Sequence, residues 1–246
     1  MNTTFANLSD THRSIRTKSL VTPLKRARST VPVPLLVNGD KLNSKEFLRR
    51  YMAMPNLKKA ELIEGIVYFM TTPVRHQQHS SPDGKIQTCM GVYAFETPGV
   101  EHGINGTVKL DADNIFQPDG LLRKLPEKGG MTRVDEDGYL AGPPELIVEI
   151  AASSASIDLH RKRDVYLRHG VPEYIVWLTE DAVFMWWYLE NGEYHLIPAD
   201  KEGILRSRVF PGLWLDAKAL LKGDGAKVMK VLRRGLKSKE HAKFVK

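Results

Sequence analysis

Leu146-Ile147-Val148-Glu149-Ile150 is a run of aliphatic residues broken by one carboxylate. An unbroken apolar run, as opposed to an alternating one, belongs to a strand covered on both faces. A strand of that kind needs a layer on either side, which points to an α/β (α+β type) fold, a mixed β-sheet core flanked by helices. Glu149 is the anomaly. A buried carboxylate without a partner is costly, so it calls for a counter-ion, a metal or a shifted pKa.

Downstream of this strand, Ser156 to His169 has helical spacing and is closed by Gly170-Val171-Pro172. Tyr174 to Leu178 reads as a further strand. Val183 to Leu189 and Tyr194 to Ile197 read as a hairpin around Asn191-Gly192. From 216 to 246 the pattern predicts two or three short basic helices broken at Gly223-Asp224-Gly225 and at Gly235. Upstream, 124–142 is rich in Gly and charge, lacks periodicity and reads as a mobile loop. Ile115 to Leu122 reads as one strand, and Thr107 to Leu110 as another. Residues 82–96 read as a helix with Pro82 in its first turn. Ala60 to Met70 reads as two short strands around Glu64-Gly65, and a polar cap at Asn43 starts a short helix. Residues 1–35 show no apolar periodicity and read as a disordered basic tail, although their Arg, Ser and Thr content has a transit-peptide flavour. The expected organisation is therefore a tail at 1–35, one domain at 36–222 and a basic helical extension at 223–246.

Composition narrows the functional classes. The 246-residue chain is 42% hydrophobic and 26% charged, which allows a sizeable core. Its single cysteine, Cys89, excludes a disulfide framework and a cysteine zinc site, and suits a reducing, cytoplasmic location. No apolar stretch is long enough for a transmembrane helix, so no membrane partner is expected. No Walker-type or dinucleotide-type phosphate loop occurs. The net charge of +7 is uneven: residues 1–30 carry +5 and residues 216–246 carry +7, which leaves the middle at −5. Basic tails can hold a nucleic-acid backbone, but a solvated surface is the commoner meaning of such runs.

Three acids stand in apolar surroundings: Glu61 at the first hairpin, Asp119 after Pro118, and Glu149. Asp158, Lys162 and Tyr166 recur every four residues on one helical face. A helix folding back from the central strand can bring Lys162 to the strand carboxylate. Carboxylates of this kind bind Mg²⁺ or Mn²⁺, and a nearby ammonium adds positive charge at a phosphodiester. The plainer account is a surface Asp158–Lys162 ion pair and an edge-strand Glu149. Tyr166 either reaches the site or packs under Lys162. His76 and His79, three apart, could share a helical face, but Pro73 and Pro82 argue against a helix there. Trp177, Trp186, Trp187 and Trp214 read as core or dimer-contact residues.

At these residues the chain resembles the "putative restriction endonuclease" domain family, a bacterial branch of the PD-(D/E)XK nuclease superfamily. The matching segments, in order, are Lys41 to Phe47, Glu61-Leu62-Ile63-Glu64-Gly65, Pro73 to His76, Gln117-Pro118-Asp119 and Val148-Glu149-Ile150. They continue with Asp158-Leu159, Lys162-Arg163, Tyr166, Gly170 to Tyr174 and Phe210 to Leu215. The resemblance implies a Mg²⁺- or Mn²⁺-dependent endonuclease acting on DNA. Asp119, Glu149 and the Ile150 carbonyl would hold the metal, Glu61 would support them, and Lys162 would be the catalytic lysine, with His76 lining the cleft. It also implies a homodimer. The chain departs from the superfamily pattern at Ala151, where the motif places lysine; Lys162 fills the migrated position. Ala151-Ala152-Ser153-Ser154 replaces a more usual Leu-Ser-Pro-Ser, and Ala60 stands where an aromatic often precedes the first glutamate. Three rivals remain: a non-catalytic nucleic-acid-binding or protein-interaction module of the same fold, a hydrolase of other phosphate esters, and an enzyme acting on RNA.

Overall fold

The computed structural model describes residues 32–70, 73–152 and 155–246. The expected tail at 1–35 lies almost wholly outside them, as do Ser153 and Ser154. The chain runs α1 (Ser44–Met52), β1 (Ala60–Ile63), β2 (Ile66–Phe69), a π turn at His76–Ser80, α2 (Ser81–Phe95), β3 (Val100–Ile104), β4 (Val108–Lys109), β5 (Ile115–Phe116) and β6 (Gly120–Lys124). It continues with a 3-10 turn at Pro126–Lys128, β7 (Arg133–Val134), β8 (Leu140–Ala141), β9 (Leu146–Ala151), a π turn at Ile157–Lys162 and α3 (Arg163–Arg168). The last elements are β10 (Glu173–Leu178), β11 (Val183–Glu190), β12 (Glu193–Leu196), β13 (Leu205–Arg206), β14 (Trp214–Leu215), α4 (Ala217–Lys222), α5 (Gly225–Leu236) and α6 (Lys239–Phe244).

The strand that decided the reading is central. In the main sheet, ordered β12-β11-β10-β9-β6-β3, both β9 and β10 are buried along their whole length. They pair in parallel, joined by the crossover through the π turn and α3. One face of this sheet packs on α2, α4 and α5 through Ile86, Met90, Val148, Ile150, Leu220 and Leu232. The other face meets α3 and the second sheet through Ile147, Val165, Tyr174 and Phe116. That second sheet is ordered β2-β1-β5-β4-β8-β7. The mixed sheets flanked by helices are as the sequence led us to expect.

Four expectations need correction. Ile115–Leu122 is two strands in different sheets: β5 pairs with β1 and β4, whereas β6 pairs with β3 and β9. Pro118, which has no N–H to give a ladder, sits at the crossing. The segment 124–142 is tied down as well as structured, because the buried Glu145 carboxylate accepts the backbone N–H groups of Lys124 and Met131, each at 2.8 Å. Gly235 does not break a helix. It lies inside α5, where the backbone of Gly212 approaches so closely that a side chain would collide with it. The stretch around His76 and His79 is helical despite its prolines. Pro82 cannot donate to the Gln78 carbonyl one turn earlier, and the Thr179 hydroxyl donates there instead, at 2.5 Å.

Residues 223–246 are integral to the packing. Val228 and Leu232 join the main core, and the buried His241 ring shares a 2.9 Å hydrogen bond with the Thr97 hydroxyl at the end of α2. Among the described residues, no helix is long and apolar enough to cross a membrane.

Candidate active site

The break between β5 and β6 and the C-terminal half of β9 lie side by side, and this is where the acids meet. Asp119 occupies the break. The β6–β9 ladder reaches Gly120 opposite Val148, and two residues further the Asp119 carboxylate takes the place of a strand: its Oδ2 accepts the Ile150 N–H at 2.8 Å. Within a strand residue the N–H and C=O point the same way, so the Ile150 carbonyl also faces the Asp119 side. Glu149 projects from the same strand and is 2% exposed. Glu61, on β1, is fully buried and its Oε1 accepts the Gln117 N–H at 2.9 Å, which fixes the approach to Pro118-Asp119.

Lys162 closes the cluster from below. Its Nζ lies 2.9 Å from Glu61 Oε2, 3.0 Å from Glu149 Oε1 and 3.2 Å from Asp158 Oδ1. The π turn at 157–162 delivers both Asp158 and Lys162 into the interior. Loss of hydration works against a charged lysine there, yet the three carboxylates outweigh it and hold the ammonium far above its ordinary range. For Glu149 the balance goes the other way: burial raises the carboxyl despite the pull of Lys162. Tyr166 is buried beside the cluster. It packs between Phe116 and Tyr174, and its hydroxyl donates to Glu149 Oε1 at 3.2 Å.

Two basic side chains whose place in the site sequence reasoning missed face Asp119. Lys59 Nζ lies 3.1 Å from Asp119 Oδ1, and His79 Nε2 lies 3.4 Å from Oδ2. Burial alone would raise the Asp119 carboxyl, but His79, Lys59 and the Ile150 N–H reverse that and hold it well below the usual range. His76, expected in the cleft, is exposed, and His79 one turn on takes that place. Signals for both residues were present. Lys59 stands two before Glu61, hence on the same face of an extended chain. His79, Asp83 and Gln87 recur at four-residue spacing along one helical face. Gln87 Nε2 donates to the Asp119 carbonyl at 2.9 Å and to Asp83 at 2.7 Å, while His102 meets its Oε1 at 2.6 Å.

Chemically, the cluster holds four buried carboxylates (Glu61, Asp119, Glu149 and Asp158) against the ammonium groups of Lys59 and Lys162 and the His79 imidazole. With all four acids ionised, they outnumber the two ammonium groups. Lys162 and Tyr166 both address Oε1 of Glu149, and among the described residues Oε2 accepts no hydrogen bond. No three His, Cys, Asp or Glu side chains among the described residues form a metal cage. Mg²⁺ needs none, since it commonly binds through one or two carboxylates with water and substrate phosphate completing the shell. Two carboxylates and a backbone carbonyl, all hard oxygen donors, fit such an ion.

Residues 44–218 match the Uma2 family, described as "Putative restriction endonuclease". The chain belongs to this family. Asp119, Glu149, Lys162 and Glu61 all fall inside the matched segment. Among solved structures, the chain is similar to "a putative nuclease belonging to DUF820 from Anabaena variabilis ATCC 29413", with a TM-score of 0.54 and 15% sequence identity over 71% of this chain and 97% of that one. At that identity the likeness is one of fold. Comparison with curated proteins returned no match. The Uma2 segment ends within α4, before α5 and α6 begin.

Proposed function

We propose that this Uma2 protein is a Mg²⁺- or Mn²⁺-dependent endonuclease that hydrolyses DNA phosphodiester bonds. The observation that carries the reading is the meeting of Asp119, Glu149 and the Ile150 backbone at one end of β6 and β9, with Lys162 behind them. The two carboxylates and the Ile150 carbonyl would hold the ion. When bound, a divalent cation offsets charge on the phosphoryl oxygens and acidifies water. This chain's own residues set the stage for that. The Ile150 N–H orients Asp119. Lys162 and Tyr166 fix Glu149 through one oxygen and leave the other available. Glu61 holds both Lys162 and the Gln117 backbone, coupling the two sheets at the site. The fit of family, fold and donor chemistry supports this reading over a non-catalytic module. Homodimer formation, implied by the family, is read by light scattering.

The test is Mn²⁺ binding by calorimetry, with and without duplex DNA, alongside cleavage of that DNA. Wild type should bind the ion and cut. Asp119→Ala and Glu149→Ala should lose both while keeping a cooperative melt, with rates down by about 10³-fold or more. Wild-type-like cutting by either variant would refute the assignment, and cleavage of RNA alone would move the substrate class.

A further inference from the structure

Two ammonium groups serve the carboxylate cluster, and they are not equivalent. A lysine has three N–H donors. Lys162 is 2% exposed and has carboxylate oxygens of Glu61, Glu149 and Asp158 within 3.2 Å, so its ammonium is enclosed by carboxylates and does not face water or an incoming phosphate. Lys59 meets the cluster at Asp119. Its side chain is 21% exposed, and among the described residues its ion-pair partner is Oδ1 of Asp119. The second Asp119 oxygen is already committed to the Ile150 N–H and the His79 ring. Oδ1 is therefore the oxygen that an incoming cation would use, and the Lys59 ammonium stands on it.

Oδ1 has a second lone pair, but a divalent ion bound there would set its charge against the Lys59 ammonium. That repulsion favours release of Lys59, whose four-carbon stem can swing the charge away while the backbone stays put. The backbone is fixed, since the Lys59 carbonyl accepts the Met70 N–H at 3.0 Å and the strand that follows is fully buried. The released ammonium would stay within reach of Asp119 and so beside any anion the metal brings in.

We propose that Lys59 is the substrate-facing lysine of this site: it neutralises Asp119 until a divalent cation takes Oδ1, and its ammonium then pairs with a phosphate oxygen of the bound strand. Lys162 is, by contrast, a positioning residue that acts through Glu149. No covalent bond to Lys59 is involved; its part is a charge-assisted hydrogen bond to the phosphate. The inference rests on the metal-dependent phosphodiesterase reading above.

The experiment compares wild type with Lys59→Met, which keeps the stem, and Lys59→Gln, which keeps a donor but loses the charge. Mn²⁺ alone is titrated calorimetrically into each protein, and cleavage of a short duplex is then followed at saturating Mn²⁺. Both variants should bind Mn²⁺ more tightly than wild type, because the competing ammonium is gone, and both should cut about 10²-fold more slowly or worse. A thermal melt establishes that each is folded, and the Gln variant decides if the Met variant is not. Unchanged or weaker Mn²⁺ affinity overturns the competition, and cutting at the wild-type rate overturns the phosphate contact. If wild type itself binds no Mn²⁺ even with DNA present, the metal reading fails and this inference falls with it. If wild type binds and the variants behave like it, only the inference falls.

Discussion

Glu149 can be buried because Lys162 is buried with it. Lys162→Met would leave Glu61, Glu149 and Asp158 facing one another without their shared cation, and removing one partner of a buried pair costs about 3–5 kcal/mol. We expect a loss of that size in urea unfolding without metal; a loss below about 1 kcal/mol would mean that the cage is effectively hydrated. The second pair at the site carries a pH signature. Asp119 is held low in the fold, so its contribution is present above about pH 4 and fades as the pH falls below that. His79 is raised by its hydrogen bond to Asp119, so its contribution is complete below about pH 6.5 and fades as the pH climbs through its folded value. The pair is strongest between those limits. Urea midpoints measured in EDTA should decline above about pH 6.5, with the raised carboxyls of Glu149 and Glu173 contributing in both proteins, and His79→Gln should make that limb less steep. Parallel limbs for the two proteins would take His79 out of the pair.

At the scale of elements, the site exists because one apolar run is divided between two sheets. Gly120 opens β6 directly beneath Gln87: a Cβ added there would meet the Gln87 amide atoms at 2.5–2.9 Å. Gly120→Ala should push Gln87 off the Asp119 carbonyl and cost about 1–3 kcal/mol, read as a lower urea midpoint. An unaltered midpoint would show that Gln87 can turn aside freely. The division of that run also marks where local reading stops. β9, β10, α2 and both hairpins were legible, because their periodicity and turn residues lie within a few positions of one another. The split at Pro118-Asp119 was not, since it depends on β1 and β9, which lie far away in sequence. The same holds for two buried acids that sequence gave no reason to single out. Glu145 gathers the 124–131 loop, and Glu173 accepts from Trp186, Ser207, Arg208 and Val209, thereby fixing the turn before β14. Each is an ordinary charged residue in sequence and a tether in the fold. At the site, Glu61, Asp119, Glu149 and Lys162 were found by apolar context and family resemblance. Lys59 escaped because an exposed-looking lysine before a strand carries no such context.

For the whole molecule, motif and packing disagree about where the domain ends. The family segment stops at residue 218, and the Gly223-Asp224-Gly225 break suggested an appended basic extension. Burial continues past both. Val228, Val231 and Leu232 of α5 are 2%, 7% and 0% exposed, Gly235 of α5 packs against Gly212 and Trp214, and α6 closes over the end of α2 through His241. The net +7 of residues 216–246 therefore sits on helices whose inner face is core, so the basic charge is the outer side of a structural element. Burying three such side chains is worth roughly 5–8 kcal/mol as an upper estimate. That is comparable to the entire stability of a typical domain. A chain ending at Lys222 should accordingly fail to show a cooperative urea transition, or show one with a midpoint far below that of the full chain, and should bind an apolar dye. If these helices were merely an electrostatic arm for nucleic acid, the shortened chain would keep its midpoint and lose only salt-sensitive DNA affinity. Measuring both quantities on the same truncated protein separates the two roles, because loss of core packing lowers the midpoint at any salt concentration.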